Sequence, residues 1–361
     1  MDYLQFVLLF TCSLLSMGHG ESMQQFDPYH PGEYDLARFD IHYETTEGLP
    51  DGLEWNLDVW APIAPGTYPV MYYLSGNAMG VAGEAYEQVM RHIASHGYVI
   101  ILPSKTTYLL TPEKKMPEFV KIMNWCEEYL EDFLYYNQLP LEVHLDYQTL
   151  IGGTHSAGAH TLLQYLKNIG CGQFKALAMM SPVDGVDPFM DWYYNEWVIT
   201  DGERLNFDIP TLHIAAGLDP IHGGSLHLGG ACAPANQSNE WFWNALSEDS
   251  IRWSLNTTDF GHVAICDKDA WEGNTVVGWC AYNHDATDDQ FDAYRRFVAG
   301  QTVSFIKGVF EEDCEVFIDE IEDTSRYIAN ATMRRNQEPG TCPQPLCRWR
   351  PPPTTEPASN H

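Results

Sequence analysis

The sequence predicts an α/β protein: a mostly parallel central sheet with helices on both faces. Two patterns carry that expectation. Short strand-like runs alternate with helical stretches along the chain, which is the signature of parallel strands joined by crossover helices. Several of those runs are apolar at nearly every position, as strands covered on both faces must be. The length of 361 residues suits one large domain or two small ones, and no internal repeat is present.

After a Pro/Gly/Tyr-rich lead-in, "FDIHYE" and "WNLDVWAP" alternate apolar and polar residues like half-buried strands. "YPVMYYL" (Tyr68 to Leu74) is a near-continuous apolar run that ends in the turn signal Ser75-Gly76-Asn77. A helix follows over Tyr86 to Ala94, closed by Gly97, and then the buried strand "YVIILP", ended by Pro103. Phe119, Ile122, Met123, Cys126, Tyr129, Leu130 and Phe133 recur at helical spacing and predict an amphipathic helix to Leu134, its aromatic stripe facing the core. "QTLIGG", "KALAMMSPV", "PTLHIAAG" and "IRWSLN" supply further strands. Leu162 to Leu166 lie on a helix after the first of these, and Gln301 to Phe310 belong to a closing helix.

The ends of the chain read differently. Phe6 to Leu15 is an apolar run of about ten residues followed by Gly18 and Gly20, which predicts a secretory signal peptide over residues 1–20. That run is too short to span a bilayer, and no later stretch reaches the required length, so no stable membrane insertion is expected. Residues 21–335 are expected to form the catalytic domain, and 336–361 a Pro-rich disordered tail anchored at most by Cys342 and Cys347. Of nine cysteines, Cys12 leaves with the signal, and the even remainder predicts disulfides in an oxidising compartment. The sequence-near pairs Cys266–Cys280 and Cys342–Cys347 are the expected ones. Sequons at Asn236, Asn256 and Asn330 fit secretion and glycosylation. With 50 acidic against 19 basic residues, the formal charge of -31 would repel nucleic acid and anionic lipid headgroups, which excludes both as partners.

The chemistry centres on "LIGGTHSAGAHTLL", where a strand runs into Thr154-His155-Ser156-Ala157-Gly158 and a helix starts at once. This is the nucleophile-elbow context, a turn sharp enough to require small residues two positions either side of the serine. Gly158 meets that demand, and Thr154 stands where the motif has glycine. A serine hydroxyl needs a base within hydrogen-bond reach. His262 in "TTDFGHVAICD", in the loop after the last expected strand, is the candidate. Two carboxylates could orient it: Asp219 in "HIAAGLDP" and Asp184 in "MMSPVDGVDP", each at a strand exit. The residues themselves leave that choice open. The developing oxyanion needs backbone N–H donors. Ala157 N–H supplies one, and the turn after Tyr68–Leu74 the other, with Asn77 the expected donor and Gly76 allowing close approach. No metal or organic cofactor is implied, because such a triad needs none.

Taken together these stretches resemble the chlorophyllases, α/β-hydrolases that release phytol from chlorophyll by ester hydrolysis. "HIASHGYVIILP", "THSAG", "PVDGVD", "CAP" at Cys232–Pro234, "DFGH" at Asp259–His262 and "YRRFVAGQTVSFIKG" occur in the same order over about residues 70–310. The resemblance implies an α/β-hydrolase fold, Ser156 as nucleophile, His262 as base and Asp184 as acid. The family elbow reads like G-H-S-R-G, so Thr154 and Ala157 depart from it, and the loss of the arginine removes a cation beside the nucleophile. A secretory signal, disulfides and sequons are also unlike a plastid enzyme. They point to an extracellular role on chlorophyll or another bulky hydrophobic ester.

Two alternatives follow. The chain could be a general secreted lipase or esterase with a remodelled pocket. It could also be a non-catalytic protein that keeps the fold and carries a pigment or lipid, although a binder has no need of Ser156, His262 and a carboxylate together. The aromatic stretch Met190 to Trp197, just past Asp184, is expected to line the pocket or to pack in the core.

Overall fold

Strands form where the apolar runs lie. The computed structural model describes residues 26–105, 112–185, 197–223, 231–268, 280–281 and 283–350. The expected signal segment and most of Met190–Trp197 therefore lie outside the described residues, as does the end of the tail, 351–361. In chain order the strands of the main sheet begin with β1 (Leu36–Ile41), β2 (Asn56–Pro62), β3 (Gly66–Leu74), β4 (Val99–Ser104) and β5 (Val143–His155). They continue with β6 (Phe174–Met180), β8 (Thr211–Ala216), β9 (Arg252–Thr257) and β10 (Ala331–Arg335). Their order across the 9-stranded sheet is β1-β2-β4-β3-β5-β6-β8-β9-β10. The strands from β4 to β9 run parallel. β1 and β2 on one edge and β10 on the other are antiparallel.

The helices divide between the two faces. β3 shows why its sequence is apolar throughout: Val70, Tyr72 and Leu74 pack into one core layer, while Met71 and Tyr73 point into the other. The first layer is completed by α3 (Pro112–Trp125), α4 (Glu131–Tyr136) and α5 (Gly158–Asn168). The expected helix over Phe119–Leu134 is thus present, with a π-helical turn at Cys126–Leu130 joining α3 to α4. The second layer is completed by α2 (Glu87–Ala94), α7 (Asp288–Phe310) and α8 (Cys314–Glu322). The closing helix α7 starts well before Gln301, at a capping box in which Thr287 and Gln290 satisfy each other's backbone N–H. Among the described residues there are also the short helices α1 (Gly76–Met79) and α6 (Glu240–Ala245).

Three expectations are corrected. The disulfides are Cys171–Cys347, Cys232–Cys280 and Cys314–Cys342, and none is the sequence-near pair that was expected. Cys266 instead stays free and buried, as does Cys126. Residues 336–350 are not a structureless tail. Cys342 and Cys347 tie them to partners 28 and 176 residues away, and Arg348–Trp349 (β11) pairs with Phe207–Asp208 (β7) in a second small sheet. β10 is the third correction: "ATMRR" has no strand-like apolar pattern and forms by pairing with β9 at the sheet edge. The asparagines of all three sequons are exposed. No helix among the described residues is long and apolar enough to cross a membrane.

Candidate active site

The carboxyl ends of the parallel strands gather the site. Ser156 sits between β5 and α5 with φ +54°, a left-handed backbone rarely taken by a residue with a side chain. The turn is held by Ser156 N–H donating to the Met180 carbonyl at 3.1 Å, and by Ala159 and Val183 N–H donating to the Ser156 carbonyl. Its tightness explains Gly158: a Cβ there would lie 1.9 Å from the Leu74 carbonyl oxygen, so no other residue fits. Thr154 is fully buried on β5, where its side chain is accommodated and its hydroxyl has no hydrogen-bond partner.

His262 comes to Ser156 from the loop after β9. Ser156 Oγ–H donates to His262 Nε2 at 2.7 Å, and His262 Nδ1–H donates to Asp219 Oδ1 at 3.0 Å. Asp219 follows β8, the direct neighbour of β9, and is 1% exposed. Its other oxygen, Oδ2, accepts from Ala216 N–H at 3.2 Å and from Asn239 Nδ2–H at 2.9 Å. The structure therefore brings Ser156, His262 and Asp219 into one hydrogen-bonded line.

Asp184, which the family resemblance implied as the acid, is not in that line. It follows β6, and β8 stands between β6 and β9, so its carboxylate opens towards α5. There it takes the Nδ1–H of His160 at 2.7 Å, the N–H groups of Val198 and Ile199 at 3.0 Å each, and the indole N–H of Trp241. Asp184 is a fully buried anchor for the chain around Val198. Trp197, the one described residue of the aromatic stretch, packs edge-on against Trp241 beside it.

Sequence reasoning passed over His155, although it stands next to Ser156. Gly76 N–H donates to Tyr86 Oη at 3.1 Å, Tyr86 O–H donates to His155 Nδ1 at 2.8 Å, and His155 Nε2–H donates to the His262 carbonyl at 3.0 Å. One neutral imidazole thus ties the turn after β3 to the histidine loop. Burial, and after it the neighbouring His262 ring, holds His155 well below the usual imidazole range, so it stays uncharged. Both expected oxyanion donors belong to segments that adjoin Ser156. Ala157 is the N-cap of α5, where the N–H groups have no intrahelical acceptor. Asn77 lies in α1, directly after Gly76, whose Cα region approaches the Ser156 side chain closely enough that an added Cβ would sit 3.5 Å from Ser156 Cβ.

A parallel sheet carrying a strained serine at a strand–helix turn, with histidine and carboxylate from later strand exits, defines the α/β-hydrolase class. The chlorophyllase family model matches residues 24–337. Chlorophyllase-1, chloroplastic, of Citrus unshiu is 27% identical over 276 residues, covering 74% of this chain and 77% of the relative. Chlorophyllase-1 of Arabidopsis thaliana is 26% identical over 265 residues, 69% of this chain and 74% of its own. Chlorophyllase-2 of the same plant is 27% identical over 265 residues, with 72% and 78% covered. The chain belongs to the chlorophyllase family.

Proposed function

We propose that the protein is a secreted carboxylic ester hydrolase working through Ser156, His262 and Asp219, with the phytyl ester of chlorophyll as its leading substrate. The observation that carries the reading is the line from Ser156 Oγ through His262 to Asp219, with hydrogen bonds of 2.7 and 3.0 Å. Family membership supports the ester chemistry and the relatives' names the substrate class. The expected signal segment and the disulfides support secretion.

In this reading His262 Nε2 takes the Ser156 proton as Oγ attacks the ester carbonyl carbon. Asp219 holds the imidazole with Nδ1–H inward and stabilises the imidazolium that forms. The negative charge on the former carbonyl oxygen is met by Ala157 N–H and by the backbone of the turn at Asn77. Collapse expels the alcohol, which takes the proton from His262 and leaves an acyl ester on Ser156. Water, deprotonated by the same histidine, then hydrolyses that ester and restores the serine.

The enzyme would be assayed with chlorophyll a and, in parallel, a short-chain p-nitrophenyl ester, each against Ser156→Ala. Chlorophyllide release that disappears in the variant supports the whole reading. Cleavage of the small ester alone favours a general esterase, to which Ala157 points because no cation flanks the nucleophile there. If neither ester is cleaved and a fluorophosphonate leaves Ser156 unlabelled, the enzyme reading falls to the binding-protein alternative.

A further inference from the structure

We propose that Asn239 is a positioning residue for the Asp219 carboxylate and that His213 and Ser254 hold it in that task. The inference rests on reading Asp219 as the acid of the site. Asn239 breaks two local rules at once. Asn239 is the N-cap of α6, a position where an asparagine side chain ordinarily accepts from the helix's first free N–H groups. It makes no such bond. Its backbone is at φ +31°, ψ -84°, away from the extended conformation that N-caps adopt. Local departures of this kind persist where tertiary contacts over-determine them, and they cluster at functional sites.

The Asn239 amide turns away from its helix and into the sheet end. Nδ2–H donates to Asp219 Oδ2 at 2.9 Å, and Oδ1 accepts the Nε2–H of His213 at 3.0 Å. His213 lies on β8, 1% exposed, and its Nδ1 accepts from Ser254 Oγ–H on β9 at 3.3 Å. Burial lowers His213 to about 4, so the ring is neutral and has a single N–H to give. The Asp219 carboxylate can only accept, so it takes the amide Nδ2–H, and Asn239 Oδ1 is left to accept the single N–H of His213. Ser254 Oγ–H then closes the row at His213 Nδ1 and holds the ring, and through it the amide, in place. The carboxylate meets a donor and never the amide oxygen. With Oδ2 held by Asn239 and by Ala216 N–H, Oδ1 is left aimed at His262.

Asn239 is also a wall. A cavity of about 350 Å³ lies behind it, lined among others by His213, Ser254, Glu240 and Arg334. Without the amide, water from that cavity would compete for Oδ2 and weaken the direction of the carboxylate.

The test uses Asn239→Gly, which keeps the backbone conformation open while removing only the side chain, and Asn239→Asp. In the free wild-type enzyme the low-field proton resonance of His262 Nδ1–H reports the bond to Asp219 without any substrate. We expect it to broaden or vanish in Asn239→Gly, while the melting temperature falls by only a few degrees, the relieved backbone strain offsetting part of the lost amide bonds. On a p-nitrophenyl ester kcat should fall by about tenfold to a hundredfold at unchanged KM, the scale of a misdirected catalytic group. In Asn239→Asp a carboxyl replaces the amide donor against Asp219 Oδ2, and kcat should fall at least as far as in Asn239→Gly. An Asn239→Gly protein with a wild-type resonance and kcat overturns the proposal. If ester turnover is absent even in wild type but the resonance responds as expected, the esterase reading fails while the positioning role stands.

Discussion

Two buried aspartates at neighbouring strand exits each hold a histidine by Nδ1, yet only one of those imidazoles faces a serine hydroxyl. Asp219–His262 and Asp184–His160 are close in geometry, with Nδ1 to carboxylate distances of 3.0 and 2.7 Å. All four side chains are buried. What separates them is the other nitrogen. His262 Nε2 faces the Ser156 hydroxyl at a half-buried position, whereas His160 Nε2 is enclosed with no hydrogen-bond partner. The carboxylates differ in the same sense. Asp219 gives one oxygen wholly to its histidine, and Asp184 spends both on backbone and indole N–H groups as well. An Asp–His pair is therefore recognised as catalytic by what stands beyond the imidazole, and as structural by how many backbone groups the carboxylate anchors.

Matched substitutions in the two pairs should break the resemblance. The largest effect is expected at the serine and its base: Ser156→Ala or His262→Asn should lower kcat on a p-nitrophenyl ester by about a millionfold, the scale of a lost nucleophile or base. Both proteins should melt near wild type. Asp219→Asn comes next. The amide favours the wrong imidazole tautomer, and kcat should fall about 10⁴-fold with little change in stability. Asp184→Asn should do the reverse. Its amide would turn donors towards the Val198 or Ile199 N–H, costing about 2–4 kcal/mol of stability in urea titrations, while turnover per folded molecule stays within a few-fold. A 10³-fold loss of turnover in Asp184→Asn, with Asp219→Asn active, would reverse the assignment.

His160→Asn extends the same logic at smaller scale. Asparagine can still donate to Asp184 but leaves part of the ring volume empty, so a loss of about 1–2 kcal/mol is expected with activity intact. The same change at His262 removes the base. The contrast is measured with one assay and one melt on each protein.

The site was legible in the sequence where it depends on neighbours along the chain. The apolar runs located every parallel strand, because a strand buried on both faces cannot hide its composition. The elbow was visible in Ser156 and Gly158, and His262 in its place after β9. The acid depended on sheet order, a long-range property. The residues left Asp184 and Asp219 open, and only the position of β8 between β6 and β9 sets Asp219 beside the histidine loop. The same limit applies to cysteines paired across 28, 48 and 176 residues and to β10, whose strand exists because β9 offers an edge. Tyr86, His155 and Asn239 left no signal beyond residue type, since each acts through groups distant in sequence.

The smallest expected effect marks the Asp219 region by pH. Burial lowers His213 to about 4 in the folded protein, whereas an unfolded chain protonates histidine near about 6.5. Between those values the unfolded state binds more protons, so the contribution of His213 is full above about 6.5 and is lost as pH falls towards about 4. Asp58 acts in the opposite direction. Desolvation, with Gly83 N–H only partly offsetting it, raises this carboxyl to about 6. The folded state then binds its proton first, and stability declines as pH rises from about 4 to about 6. The two slopes oppose each other in that window, and His96, also lowered to about 4, and Asp267, also raised to about 6, add to one side each, so a wild-type melt alone does not separate them. His213→Gln keeps an N–H for Asn239 but cannot titrate, and Asp58→Asn removes the other slope. In the Asp58→Asn background, melting temperature should fall as pH is lowered below about 6.5, and adding His213→Gln should make that fall shallower. If the double variant keeps the slope, the acid sensitivity belongs to another buried histidine, and His155, held neutral beside the nucleophile, is the next to replace.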